Sequence, residues 1–381
     1  MSTLREMEEA RGAVLQEVAG REVPRHFGDQ AAEYAAVRSA AGIADRGDRA
    51  RIRVWGKAPV KMIHGLVTND LLKAPAGRAV YAAMLNPKGR TLAELRALRL
   101  ERDGAAEVVL DLPREALEGT REHLKKMLPP MFARWEDASD ATGGLGVYGP
   151  RARELVAGVV QGEVPALDED AFVETAFGGA AVVVLGTREV GGVEGYDLFA
   201  PAEQVPALWS ALVEKGAGMG ARPVGFGALE TLRIEAGRPR YGAELEEDVI
   251  ATEAFEATGL MPRAISFTKG CYTGQEVIVR IAHRGHVNRH LRGLLLGDSP
   301  TPAVRTPLFH PETGKEVGRV TSAAFSPLMG QTVALAFVRR EIGPGGSVRV
   351  ESTDGAEAAV VGLPFGSAPV VEREEPITAG E

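Results

Sequence analysis

Cysteine is nearly missing from this sequence: one residue, Cys271, in 381. A single cysteine excludes an intramolecular disulfide, and no closed zinc site can draw more than one thiolate from the chain. There is no apolar run of the roughly 20 residues that span a bilayer. The first residues, MSTLREMEEARG, are charged and lack the apolar centre of a secretory signal. These absences lead us to expect a soluble, cytoplasmic protein without a membrane partner. Basic residues are also in deficit, 44 against 52 acidic, a formal charge of −8. That balance argues against a general nucleic-acid scaffold. Aromatic residues make up only 6%, and none interleaves a basic run densely enough to stack bases.

What is present suits a globular chain of more than one domain: 45% hydrophobic and 25% charged, over a length too great for one ordinary core. Residues 1–24 read as an exposed helical extension. In RARIRVWG, Arg51, Arg53 and Trp55 alternate with Ile52 and Val54, a period-2 strand stopped by Gly56. Strands at 78–85, 91–100 and 105–112 and a helix from Pro113 to Leu128 complete an α+β segment over 54–140, inserted in a larger α+β region 25–285. From 286 to about 370 the texture becomes short strands between Gly and Pro turns, which predicts a C-terminal β-barrel. Residues 371–381 read as a flexible tail.

Four local patterns are candidates for chemistry. Gly144, Gly146 and Gly149 match G-x-G-x-x-G, but polar EDASDATG stands where a dinucleotide fingerprint needs its strand, so the reading is a turn. His283, His286 and His290 have helical spacing, yet Gly285 interrupts them, and a solvated basic segment is favoured over a metal site. Lys269, Arg280, Arg284, Arg289 and Arg292 face only Glu276 in acid, a stripe able to attract an anion. In TKGCYTGQEVIVR, Thr273 and Glu276 fit a capping box for a helix from Gly274 to Ile281. Cys271 would precede that helix, where the dipole and Lys269 favour a thiolate. An inert small side chain is the equal alternative.

Four segments occur together and in order: LVTNDLLKAPAGRAVYAAMLNPKGR, GGVEGYDLFAP, GALETLRIEAGRPRYGAEL and KGCYTGQEVIVR. In this arrangement the chain resembles the T-protein superfamily of the glycine cleavage system, from about Val37 to the barrel. The octapeptide KGCYTGQE resembles the YgfZ-type folate-binding branch. The resemblance implies an α+β, three-domain cloverleaf around a central channel that holds tetrahydrofolate. It implies folate-binding roles for Asp197, Arg233, Tyr81, Asn69, Asn86, Tyr272 and Gln275, and places Cys271 near the folate as a redox-sensitive or ligand thiol, with Lys269 a further catalytic candidate. Where T-proteins carry a pair of aspartates, GRTLAEL has Ala93 and Glu94. Catalytic geometry is sensitive to errors of about 1 Å, so the leading expectation is a tetrahydrofolate-binding accessory protein for iron–sulfur enzymes, including those that modify tRNA, with assembly or client proteins as partners. The alternatives are an aminomethyltransferase that uses Glu94, moving a one-carbon unit from an aminomethyl-lipoyl carrier to tetrahydrofolate, and an RNA-binding module.

Overall fold

A computed structural model describes residues 2–102 and 104–366, and the backbone alone of Arg284. The tail expected at 371–381 lies outside the described residues. The chain divides into two units: Met1–Ile63 with Leu71–Tyr81 and Leu95–Leu232, and His64–Asp70 with Ala82–Glu94 and Arg233–Glu381.

The first unit opens differently from the single exposed helix expected over 1–24. Helix Leu4–Glu9 is short, with Thr3 and Glu6 forming a capping box, and a hairpin of Val14–Val18 and Arg21–His26 follows. Leu4 and Met7 pack on the main core of the unit, so apolar side chains hold the segment in place. That core lies on a six-stranded sheet ordered Phe172–Phe177, Ala180–Thr187, Gly195–Pro201, Thr142–Tyr148, Gly42–Asp45, Arg222–Pro223. Val182, Val184, Leu198 and Leu145 point from its strands toward helix Val205–Ala217, which supplies Leu208, Trp209 and Leu212. The alternation of side chains along each strand gives the sheet one apolar face.

A second sheet in this unit carries the charge. Ala105–Pro113 pairs antiparallel with Arg49–Trp55, which pairs in turn with Arg134–Asp137. On its other side Ala105–Pro113 meets the stretch Arg96–Arg102. The register sets Asp111 opposite both Arg51 and Arg96.

In the second unit the expected C-terminal barrel is a closed six-stranded one. Its order is Arg289–Leu295, Gln331–Arg339, Glu316–Ser326, Pro307–Phe309, Ser347–Val350, Glu357–Val361, and the last strand returns to the first through Gly293 opposite Val361. Leu294, Leu308, Val320, Ala336 and Val348 fill it. Helix Gln275–Arg284 precedes the barrel.

Candidate functional site

The residues expected to bind or react fall in both units. Asp197 and Tyr81 belong to the first; Asn69, Asn86, Glu94, Arg233, Lys269, Cys271, Tyr272 and Gln275 belong to the second.

Asp197 is the most tightly held of them. It is 1% exposed, on strand Gly195–Pro201 opposite Gly146. Its Oδ1 accepts from the Tyr148 hydroxyl at 2.5 Å and from Arg46 Nη1 at 3.2 Å. Arg96 Nη2 lies 2.7 Å from Oδ2, forming an ion pair off the hydrogen-bond axis. Arg46 grips Asp48 through two parallel bonds of 2.9 and 3.0 Å and also donates to Tyr148. Burial raises the Tyr148 phenol well above its ordinary value, with Asp197 adding to the rise and Arg46 opposing it, so the hydroxyl keeps its proton and donates. A pteridine offering adjacent N–H donors would have to displace Tyr148 and Arg46 to reach this carboxylate. In this arrangement Asp197 is an ion-pair residue and does not fit the free carboxylate clamp that the resemblance implies.

The neighbouring carboxylate, Asp111, lies deeper still, at 0% exposure. Oδ2 accepts from Arg49 Nε at 2.8 Å and from Arg96 Nε and Nη2 at 3.0 and 2.6 Å. Arg51 Nε approaches Oδ1 at 3.4 Å. Burial alone would raise the Asp111 carboxyl, but Arg49, Arg96 and Arg51 together hold it well below the usual carboxylate range. Arg46, Arg49, Arg51 and Arg96 therefore face Asp48, Asp111 and Asp197, four guanidinium groups to three carboxylates in a dry interior. The pattern missed in the sequence is the one that makes this cluster. Arg49 and Arg51 alternate with apolar residues as on a half-exposed strand, yet they are 6% and 2% exposed.

The glycines of GGLGVYG serve the same cluster. Strand Thr142–Tyr148 runs through Gly144 and Gly146, so the motif is neither a nucleotide fingerprint nor a turn. A Cβ on Gly144 would stand 2.0 Å from Arg51 Nη2, and one on Gly146 would stand 2.1 Å from the Tyr148 hydroxyl. Glycine here makes room for two buried polar side chains.

In the second unit Lys269 is 6% exposed. Its ammonium donates to the carbonyls of His64, Val67 and Asn69, the last two at 2.6 and 3.1 Å. It also sits 5.0 Å above the Tyr272 ring. Desolvation pulls its pKa down to about 8. With its protons directed to three carbonyls, Lys269 fastens segment 64–69 and is not turned to Cys271. The cysteine itself is exposed. Tyr272 is buried at 7% exposure, and burial pushes its phenol up.

Helix Gln275–Arg284 starts one residue later than the capping box would have it. Gly274 is the cap, at φ +82° in the left-handed region, with no side-chain bond. A Cβ there would meet the Asn86 carbonyl at 2.6 Å, so the approach of the two backbones requires glycine. Asn86 Oδ1 takes the N–H groups of Lys88 and Arg90, shaping that turn. Asn69 Nδ2 donates to the Arg263 carbonyl at 2.7 Å, Tyr81 is 5% exposed in its strand, and Gln275 opens the helix.

Arg233 Nη1 donates to Glu244 and to the Arg238 carbonyl, both at 2.7 Å, and Nη2 to Ser322 at 2.7 Å. Glu244, fully buried, also accepts from Thr321 and Ser322. This network ties residues 233–244 to the barrel strand. Glu94 is 4% exposed, and its Oε2 accepts the Tyr241 N–H at 3.0 Å.

The basic stripe does not form a continuous surface. Lys269 and Arg292 are buried, Arg289 pairs with Glu253, and Arg280 alone of these four is exposed. His283 packs edge-on against Phe267, and no group of metal-ligating side chains occurs among the described residues. None of their helices is long and apolar enough to cross a membrane.

A mixed α/β chain ending in a six-stranded barrel is the T-protein fold. The crystal structure of glycine cleavage system aminomethyltransferase T from Bartonella henselae superposes with a TM-score of 0.82 over 95% of this chain and 96% of that one, at 22% identity. Residues 4–261 match the GCVT N-terminal domain, and 289–366 the glycine cleavage T-protein C-terminal barrel domain. The chain therefore belongs to the glycine cleavage T-protein family. An aminomethyltransferase of Saccharopolyspora erythraea is 32% identical over 95% of this chain and 96% of its own length. One of Moorella thermoacetica is 30% identical over 93% and 94%. These relatives overturn the expectation of an accessory protein for iron–sulfur enzymes and, with it, the iron–sulfur clients and the link to tRNA modification.

Proposed function

We propose that this protein transfers a one-carbon unit from an aminomethyl-lipoyl carrier to tetrahydrofolate. The observation that carries the reading is its near end-to-end similarity to relatives named aminomethyltransferase, 32% over 366 residues in one case. A shared domain alone would leave large parts of each chain unmatched. The T-protein fold supports the same reading.

Glu94 is the residue we assign to the chemistry. It stands where the family resemblance puts a pair of aspartates, and Ala93 beside it has no carboxylate. The Tyr241 N–H fixes Glu94 from one side. A fixed carboxylate in a site with little water stabilises positive charge on an amine far better than one in bulk solvent. In this reading Glu94 balances the charge on the aminomethyl nitrogen as its carbon leaves that nitrogen and the lipoyl sulfur and bonds to two folate nitrogens, whose protons pass to the departing ammonia and thiol. Octapeptide 269–276 resembles the YgfZ-type branch; we read it as a variant loop on a transferase scaffold, with Lys269 holding segment 64–69 in place. Turnover of an aminomethylated lipoyl carrier with tetrahydrofolate, followed as methylene-tetrahydrofolate, tests the proposal.

A further inference from the structure

One surface of the first unit holds none of the residues assigned to this reaction. Leu124 and Leu128 are buried at the end of helix Leu117–Met127, and the chain then turns through Pro129 and Pro130. The N–H groups of Phe132 and Ala133 both donate to the Pro129 carbonyl, at 3.0 and 3.2 Å, which closes the turn tightly. Its apolar side chains face water: Met131 is 68% exposed, Met127 and Phe132 44% each. Two prolines and two hydrogen bonds fix the turn in advance, so little conformational entropy is lost when it docks.

The surroundings are basic. The Phe132 carbonyl accepts the Ala58 N–H at 2.9 Å, which brings Lys57 and Lys61 beside the turn. Lys125, Lys126 and Arg134 flank it in sequence, and all five cations are exposed. The nearest acids in sequence to the turn are Glu122, exposed on the preceding helix, Glu136, which is paired with Arg53, and Asp137, exposed at the end of strand Arg134–Asp137. Five cations so placed on a chain of net charge −8 mark this face for an anionic partner. Trp55 and Trp135, two of the three tryptophans, are half-buried on the paired strands at its base.

We infer that this tip seats on an anionic lipid surface. A second copy of the same face is excluded by like charge. Protein interfaces are depleted in lysine, whereas four of the five cations here are lysine. Lysine around an exposed Met–Phe tip, with tryptophan at its base, is the pattern of a peripheral membrane contact. Each basic residue near such a surface strengthens partitioning by about fivefold, and salt weakens the effect. This contact is separate from the transfer reaction and stands or falls without it.

The test is sedimentation of the 381-residue protein with vesicles of equal parts phosphatidylserine and phosphatidylcholine at low salt. Pure phosphatidylcholine vesicles and soluble poly-glutamate serve as comparisons. The protein is expected to sediment with the anionic vesicles alone, with a blue shift of tryptophan emission. Met131→Ser/Phe132→Ser and Lys125→Glu/Lys126→Glu should each lower partitioning by about tenfold or more, with unchanged melting temperature and far-ultraviolet circular dichroism. No sedimentation with anionic vesicles would overturn the inference. So would equal partitioning of the Met131→Ser/Phe132→Ser variant. Binding to poly-glutamate as strong as to vesicles would also overturn it, assigning the face to an acidic polypeptide instead.

Discussion

Arg96 and Asp111 are opposite partners on adjacent strands, and Arg96 Nη2 lies 2.6 Å from Asp111 Oδ2 with both side chains within 1% of full burial. Arg49 and Arg51 close on the same carboxylate. One acid thus holds three guanidinium groups inside a sheet.

Removing that acid leaves three buried cations short of charge. Breaking a buried pair from one side costs about 3–5 kcal/mol, because the remaining charge is stranded. Asp111→Asn is expected to lose stability in that range in urea denaturation. A loss below about 1 kcal/mol would mean that the cluster is solvated in solution.

The packing of Arg51 against strand Thr142–Tyr148 makes a second prediction. Gly144→Ala places a methyl group 2.0 Å from Arg51 Nη2, and should destabilise by about 1–3 kcal/mol through overpacking. Arg51→Ala in the same chain removes the obstacle. The double variant should then show a coupling of at least about 1 kcal/mol in a double-mutant cycle. Simple additivity would place the Arg51 side chain elsewhere.

Lys269 gives a pH-dependent prediction. Burial pulls its folded pKa down to about 8, against the ordinary lysine value of 10.5. Between those values the unfolded chain binds more protons, so this group makes stability rise with pH across that window. Lys269→Met leaves the carbonyls of His64, Val67 and Asn69 without their donor and should cost about 1–3 kcal/mol at neutral pH. The difference between wild type and variant should widen from pH 8 to pH 10.5. A difference that stays constant with pH would show that Lys269 titrates normally in the folded state.

Parts of this structure could be read from the sequence because they rest on local pattern. The barrel was legible in short strands broken by Gly and Pro turns, whereas segment 142–148, read as a turn, is a strand. What could not be read depends on which strands pair. RARIRVW has the alternation of a strand with one wet face, and only the pairing with 105–113 puts Asp111 opposite Arg51 and turns that face inward. Thr273 and Glu276 have the spacing of a capping box, yet the approach of the Asn86 carbonyl to Gly274 sets the helix start. Asp197 had the right chemistry for a pteridine, but the partners that occupy it come from strands distant in sequence.

Aminomethyl transfer is the activity on which the role of Glu94 depends. Its most direct test mixes the purified protein with an aminomethylated lipoyl carrier and tetrahydrofolate and follows methylene-tetrahydrofolate, beside an authentic aminomethyltransferase and the Glu94→Gln variant. Turnover comparable to the authentic enzyme is expected, falling by about a hundredfold in Glu94→Gln with the fold intact. No turnover by the wild-type protein, with the authentic enzyme active in the same mixture, would mean that this chain does not carry out aminomethyl transfer.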